Sequence, residues 1–246
     1  MVDFISEIVT PFLTRTMFIA VTTLNGTGIA IYFKDPIVRK WKTFKARKWL
    51  QRVPAARVSN FFPNRDRYHM YRDITFLEYI ASANRTLSYC GHWLAFTIDQ
   101  HNTLDALCDL AKGKKHVQLT LLDPELSEEV LITYATYFNE DKDYLLNQIK
   151  NTWNKVETAK KNLDTQSQEH FELRKHKEFI SYSSFWFDKG HENQHILIDA
   201  KILGISRRDS YGVELKPSKN LVSSNISLFD RYSKSIEVLV KRSKIC

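Results

Sequence analysis

Cys90-Gly91-His92 sets a thiol and an imidazole two residues apart. A nucleophilic cysteine needs a base, but catalytic Cys/His pairs come as a rule from separate elements. This proximity therefore does not make a dyad. Asp123-Pro124 has the composition of a helix start, where Asp accepts from free backbone N–H groups and Pro fits the first turn. Glu128-Glu129 follow in the first turn, where the helix dipole favours acids. Phe185, Trp186 and Phe187 could stack bases, yet a buried strand explains them more simply. The chain has no GxGxxG, Walker A, GxSxG or HExxH pattern. Its three cysteines, Cys90, Cys108 and Cys246, form neither a CxxC pair nor an even framework. On that ground neither a disulfide scaffold nor a cysteine zinc site is expected, and a reducing compartment fits better. No metal and no cofactor is expected.

The net charge of +8 is local. Residues 34–57 hold nine Lys/Arg against Asp35, and the rest of the chain has 27 bases and 27 acids. Such a block binds anionic lipid headgroups or nucleic acid. Just before it, Met17 to Phe33 runs seventeen residues without a charge. As a helix this spans about 25 Å, somewhat short of a hydrocarbon core of about 30 Å. Positive charge on its C-terminal side predicts that residues 34–246 face the cytoplasm. Lys40, Lys42, Lys45, Arg47 and Lys48, interleaved with Trp41 and Trp49, are the expected membrane-surface residues, with anionic lipid as partner. The competing reading makes 17–33 a buried helix, or a hairpin with NGTG as its turn, in a soluble protein whose basic block binds nucleic acid.

The elements behind these residues alternate. Arg52 to Asp66, with Pro54 and Pro63, is expected to be a linker. Ile74, Leu77 and Ile80 or Ala81 share a predicted helical face. Strand-like 86–94 precedes a helix over 103–113 with Gly113 as its C-terminal cap, and then a strand over 116–123. One long helix is predicted from about 125 to 163, with Leu145, Ile149, Val156 and Leu163 inward. Strand patterns follow at 179–187, 195–205 and 211–216, and an amphipathic helix at 223–243, capped by Ser224 or Asn225. The alternation predicts an α/β fold. The expected organisation is an apolar anchor over 1–33, a basic stretch and linker over 34–71, and one α/β domain over 72–246.

The order TLSYCGHWLAF, LAKGKKHVQLTLLDPEL, a long helix, HILIDAKILGIS and LFDRYSKSIEVL resembles the phospholipase D-like fold. It is most similar to bacterial regulatory or defence-associated members in which the site is degenerate. The resemblance covers about residues 72–243, and the order of the motifs carries it. Catalytic members use His-x-Lys-x4-Asp: a histidine nucleophile, a lysine on the phosphoryl oxygens and an acid to orient the histidine. Placing Asp199 at the acid puts Glu192 and Gln194 at the histidine and lysine, and neither can serve. No catalytic residue is therefore expected, although His191 or His195 offers a displaced alternative for phosphodiester cleavage. The resemblance implies a phosphate pocket where central strand ends meet, with His92, His195, Lys201, Arg207 and Lys219 as ligand-binding candidates. It further implies a sensor or effector, for instance in phage defence, that binds a nucleotide, a nucleic acid or a partner protein. Members that pair two domains around one pocket make a homodimer an expectation.

Overall fold

The computed structural model describes residues 58–62, 74–92, 94, 98, 102–201, 203, 211–217 and 227–246. By its contacts the chain divides into Met1–Ala46 and Arg47–Cys246, and every described residue lies in the second unit. The apolar segment 17–33 and Lys40, Lys42, Lys45, Arg47 and Lys48 lie outside the described residues, as do Arg207 and Lys219. Among the described residues no helix is long and apolar enough to cross a membrane.

The fold is α/β, as expected. Eight strands form one mixed sheet: β1 (Val58–Phe62), β2 (Thr86–Cys90), β3 (His116–Leu122), β4 (Phe171–His176), β5 (Tyr182–Phe187), β6 (His195–Ala200), β7 (Gly212–Leu215) and β8 (Lys244–Ile245). Their order across the sheet is β1-β7-β6-β5-β2-β3-β4-β8. β2, β3 and β4 are parallel, and β5 joins β2 antiparallel at the centre. β6, β7 and β1 continue antiparallel to one side, and β8 closes the other.

Strand alternation divides the core into two layers. Leu87, Tyr89, Leu119, Phe185, Phe187 and Leu197 meet helices α1 (Phe76–Ala81), α2 (Thr103–Lys112), α3 (Glu128–Phe138) and α4 (Lys142–Lys161). Short α5 (Thr165–Glu169) then leads into β4. On the other face Trp186, Ile196, Ile198 and Leu215 pack on Phe229, Ile236 and Leu239 of α6 (Leu228–Arg242).

Several expectations are corrected. β1 lies inside the expected linker; Val58 and Phe62 are buried, and the strand pairs with β7. Pro54 and Pro63 flank it and hide its signal. The face of α1 that packs is Phe76, Tyr79 and Ile80, while Ile74 and Leu77 are exposed. The long helix is two helices, broken at Asn139 in the left-handed region (φ 53°) and restarted by the Asp141 carboxylate, which accepts from the N–H groups of Asp143 and Tyr144. Leu145, Ile149, Val156 and Leu163 are buried as expected. Asp123 does not cap α3: its carboxylate accepts from Glu125 N at 2.9 Å, and Ser127 occupies the cap position. Gly113 is the C-cap of α2 as expected, and the left-handed residue is the next one, Lys114 (φ 61°). Ser227, not Ser224 or Asn225, caps α6, in a reciprocal box with Asp230.

Candidate functional site

A strand end leaves orphan backbone groups: N–H at its start, carbonyls at its finish. β2, β3, β4 and β6 all finish at one edge of this sheet. Open α/β sheets bind ligands at such edges, where strand order reverses.

Side-chain donors collect at that edge. Gly91 follows β2, and a Cβ there would lie 2.2 Å from the Tyr89 hydroxyl and 2.9 Å from Ser183 Cβ, so only glycine lets the turn pass. The turn delivers His92, which is buried. Its Nε2 lies 2.7 Å from the Ile180 carbonyl, which can only accept, so Nε2 carries the proton. Burial pushes the His92 pKa down to about 3, with the Lys201 ammonium adding to the push. The ring stands edge-on to Tyr134 and Phe138, with centroids 5.1 and 4.9 Å away.

His176 ends β4 with its ring nitrogens 3.0 and 3.1 Å from the carbonyls of Gly91 and Glu178. Burial holds its pKa below the ordinary value, against the pull of those carbonyls, so near neutral pH the ring has one N–H, which donates to one carbonyl while the other faces a lone pair. The Tyr134 hydroxyl donates to the Glu178 carbonyl at 2.6 Å, and Trp153 Nε1 to the Leu122 carbonyl at 2.7 Å. Just beyond β6, Lys201 Nζ donates to Asp199 Oδ2 at 2.5 Å, with Asp199 buried and the lysine side chain 10% exposed. The Tyr137 hydroxyl donates to the Lys201 carbonyl at 2.7 Å.

Of the sequence candidates, the structure brings His92 and Lys201 to this edge. It places His195 at the opposite one, where β6 begins; a six-residue strand puts about 17 Å between its two ends. There the His195 ring stacks on Phe187 at 4.5 Å and lies 5.8 Å from Tyr79. Gln194 accepts from Trp186 Nε1 at 3.3 Å and from Gly190 N at 3.2 Å, bracing the β5–β6 turn. Phe185, Trp186 and Phe187 are buried in β5, which removes them as an open base-stacking surface.

Sequence reasoning missed His176 and Tyr134 at the site, and Glu214 at the other edge. Glu214 is buried, and its carboxylate accepts from Ser59 Oγ at 2.6 Å, Asn60 Nδ2 at 2.8 Å and the Tyr79 hydroxyl at 2.8 Å. An acid inside the apolar pattern of YGVELK was the available signal. Among the described residues no three His, Cys, Asp or Glu side chains are grouped to hold a metal ion.

No known protein family matches this chain, and no curated protein matches it. Among solved structures, it is similar to TrmBL2, an archaeal chromatin protein whose structure is described as showing a novel mode of DNA binding. The match has a TM-score of 0.44 and 11% identity over 89% of this chain and 70% of that one, too distant to carry an argument about function.

Proposed function

We propose that this chain is a sensor or effector whose domain binds, without cleaving, a phosphate-bearing ligand at the carboxyl-terminal edge of its sheet. The carrying observation is Lys201, an ammonium nearly out of water, oriented by Asp199 beside the neutral His92 at the strand ends. A fixed ammonium out of water attracts an anion more strongly than a solvated one, and the Asp199 carboxylate beside it takes part of that attraction. Among the described residues no activated nucleophile accompanies it. Burial raises the Cys90 thiol to about 12 and lifts the Tyr134 phenol, while His92 Nε2 is committed to Ile180. The reading is supported by the motif order that resembles degenerate phospholipase D-like domains, with Glu192 and Gln194 where catalysis needs His and Lys.

In this reading the apolar 17–33 and the basic 34–57 hold the domain at an anionic membrane. Titration calorimetry with pyrophosphate tests the ligand. Lys201→Met should weaken binding at least tenfold, and His195→Ala should leave it unchanged. Turnover of a generic phosphodiester that His195→Ala abolishes would replace this reading with a hydrolase. Carbonate-resistant pelleting of the full chain, but not of Arg47–Cys246, tests the anchor.

A second reading rests on the charge confined to 34–57: a soluble protein that grips nucleic acid there. It requires duplex affinity to fall steeply between low and moderate salt, and a flat response removes it.

A further inference from the structure

The strap joining β4 to β5, residues 177–181, crosses the same edge, and buried side chains hold it. His92 donates to the carbonyl of Ile180 at 2.7 Å. Tyr134 donates to the carbonyl of Glu178 at 2.6 Å and accepts from the N–H of Ile180 at 3.3 Å. Lys201 N donates to the carbonyl of Ser181 at 2.8 Å. These bonds pin the backbone on both sides of Phe179.

Phe179 is nevertheless 45% exposed. Its inner side rests on Tyr134, centroids 4.9 Å apart at 37°, and on the edge of Tyr137, 5.0 Å away at 81°. Tyr137 in turn holds the carbonyl of Lys201. A lone exposed aromatic is ordinary on a protein surface. This one differs because its backbone is fixed by the side chains that line the candidate site. Two exposed cations are tied to the strap around it: Lys177, two residues before it, 65% exposed and 3.8 Å from Asp123 Oδ2, and Arg242, 63% exposed and paired to Glu178, the residue before it.

We propose that Phe179 is a stacking platform for a nucleobase, so that the ligand of this edge is a nucleotide or a nucleic-acid end rather than a lipid headgroup. The inference rests on the phosphate-binding reading and adds the other half of the ligand. A flat, half-exposed aromatic face suits a base, because every base presents a π-face, and the lysine of the same edge, Lys201, suits the nucleotide's anion. A glycerophosphate headgroup has the anion and nothing to stack.

The test compares adenosine monophosphate with ribose 5-phosphate, which lacks the base, by titration calorimetry on the full chain. Stacking on one ring is expected to make the nucleotide bind about 5- to 150-fold more tightly. In Phe179→Ala the nucleotide should fall to the affinity of ribose 5-phosphate, which itself should not move. Phe179→Trp should keep or raise the preference, which separates loss of stacking from loss of fold. Equal affinity of the two ligands in the wild-type chain overturns the platform and leaves phosphate binding standing. A preference that survives Phe179→Ala overturns it too, by placing the base elsewhere. Binding to phosphatidic acid vesicles that Phe179→Ala weakens, with no preference for the nucleotide, assigns the ring to lipid and overturns it. Failure to bind ribose 5-phosphate, pyrophosphate and nucleotide alike brings down the phosphate reading and this inference together.

Discussion

The two ends of the sheet solve opposite problems. Where β2, β3, β4 and β6 finish, carbonyls need donors, and the chain supplies imidazoles, a phenol and an indole. Where β2 starts, N–H groups need acceptors, and it supplies a carboxylate. Asp188, in the left-handed region at φ 51°, accepts from the N–H groups of Asn84 at 2.9 Å, Arg85 at 2.7 Å and Thr86 at 3.3 Å. Glu214 instead gathers side-chain donors, the Ser59 and Tyr79 hydroxyls and the Asn60 amide. The polarity of the backbone thus sorts side chains before any ligand is considered. The carbonyl end collects donors, with two buried carboxylates, Asp123 and Asp199, each set against lysines; the other end spends its carboxylates on the fold.

This contrast is sharpest in its predicted failures. Asp188→Ala should do the most damage, on the order of 3 kcal/mol, because it orphans neighbouring backbone donors and places a non-glycine residue without a compensating bond at positive φ. Chemical denaturation should show it as a lowered midpoint with unchanged slope. Next comes His92→Ala, about 2–3 kcal/mol, for a buried ring lost and the Ile180 carbonyl left unmet. His92→Gln, whose amide can still donate, should recover part of that loss.

Acid separates the two ends. His92 and His176 both have folded pKa values below the unfolded value of about 6.5. The unfolded chain therefore binds more protons, and the stability these groups hold above pH 6.5 is lost as pH falls toward 3. For Asp188, burial opposes ionisation, but the N–H donors of Arg85, Thr86 and Asn84 and the Asn84 side chain hold the carboxyl below its usual range. Its contribution lasts until pH drops under about 3.8. Melting temperature should thus begin to fall between pH 6.5 and 5, and His92→Gln should flatten that limb while leaving the steeper loss below pH 4. An unchanged limb in the variant would remove His92 as its source. The smallest effect is expected for Tyr137→Phe, about 1 kcal/mol for one half-buried hydrogen bond, visible as a melting shift of a few degrees or less.

Much of the fold was legible because apolar periodicity survives where both faces are covered. HVQLTLL and HILIDA became β3 and β6 within a residue or so of expectation at their starts. FELRKH was missed because its strand-like alternation, Phe171 and Leu173 against Glu172 and Arg174, is only four residues long before Lys175 and His176 break it. The polar pair is used on the sheet face, where Gln118 bridges Ser88 to Glu172 and Arg174 pairs with Glu172. The candidate site was half legible. His92 and Lys201 were reached through the resemblance, but the predicted strands ran to 94 and 205 and held both inside; the strands end at Cys90 and Ala200. His195 starts the strand that Lys201 follows, and a linear motif gives no sign that the two ends of one strand face different regions. His176 and Tyr134 were hidden because their roles come from carbonyls 85 and 44 residues away in sequence.

The outermost pairing of β1 carries a kinetic consequence. Ser59 and Asn60 meet Glu214 across 155 and 154 residues of chain. A loop of that length must be closed before those contacts return any stability, and closure of this kind belongs to the late steps of folding. β1 should therefore dock onto a sheet already assembled from β2 to β7, with Glu214 still reachable by water until it arrives. Refolding watched by pulsed hydrogen exchange should protect the amides of β5 and β6 before those of β1, and Asn60→Ala should speed unfolding more than it slows folding.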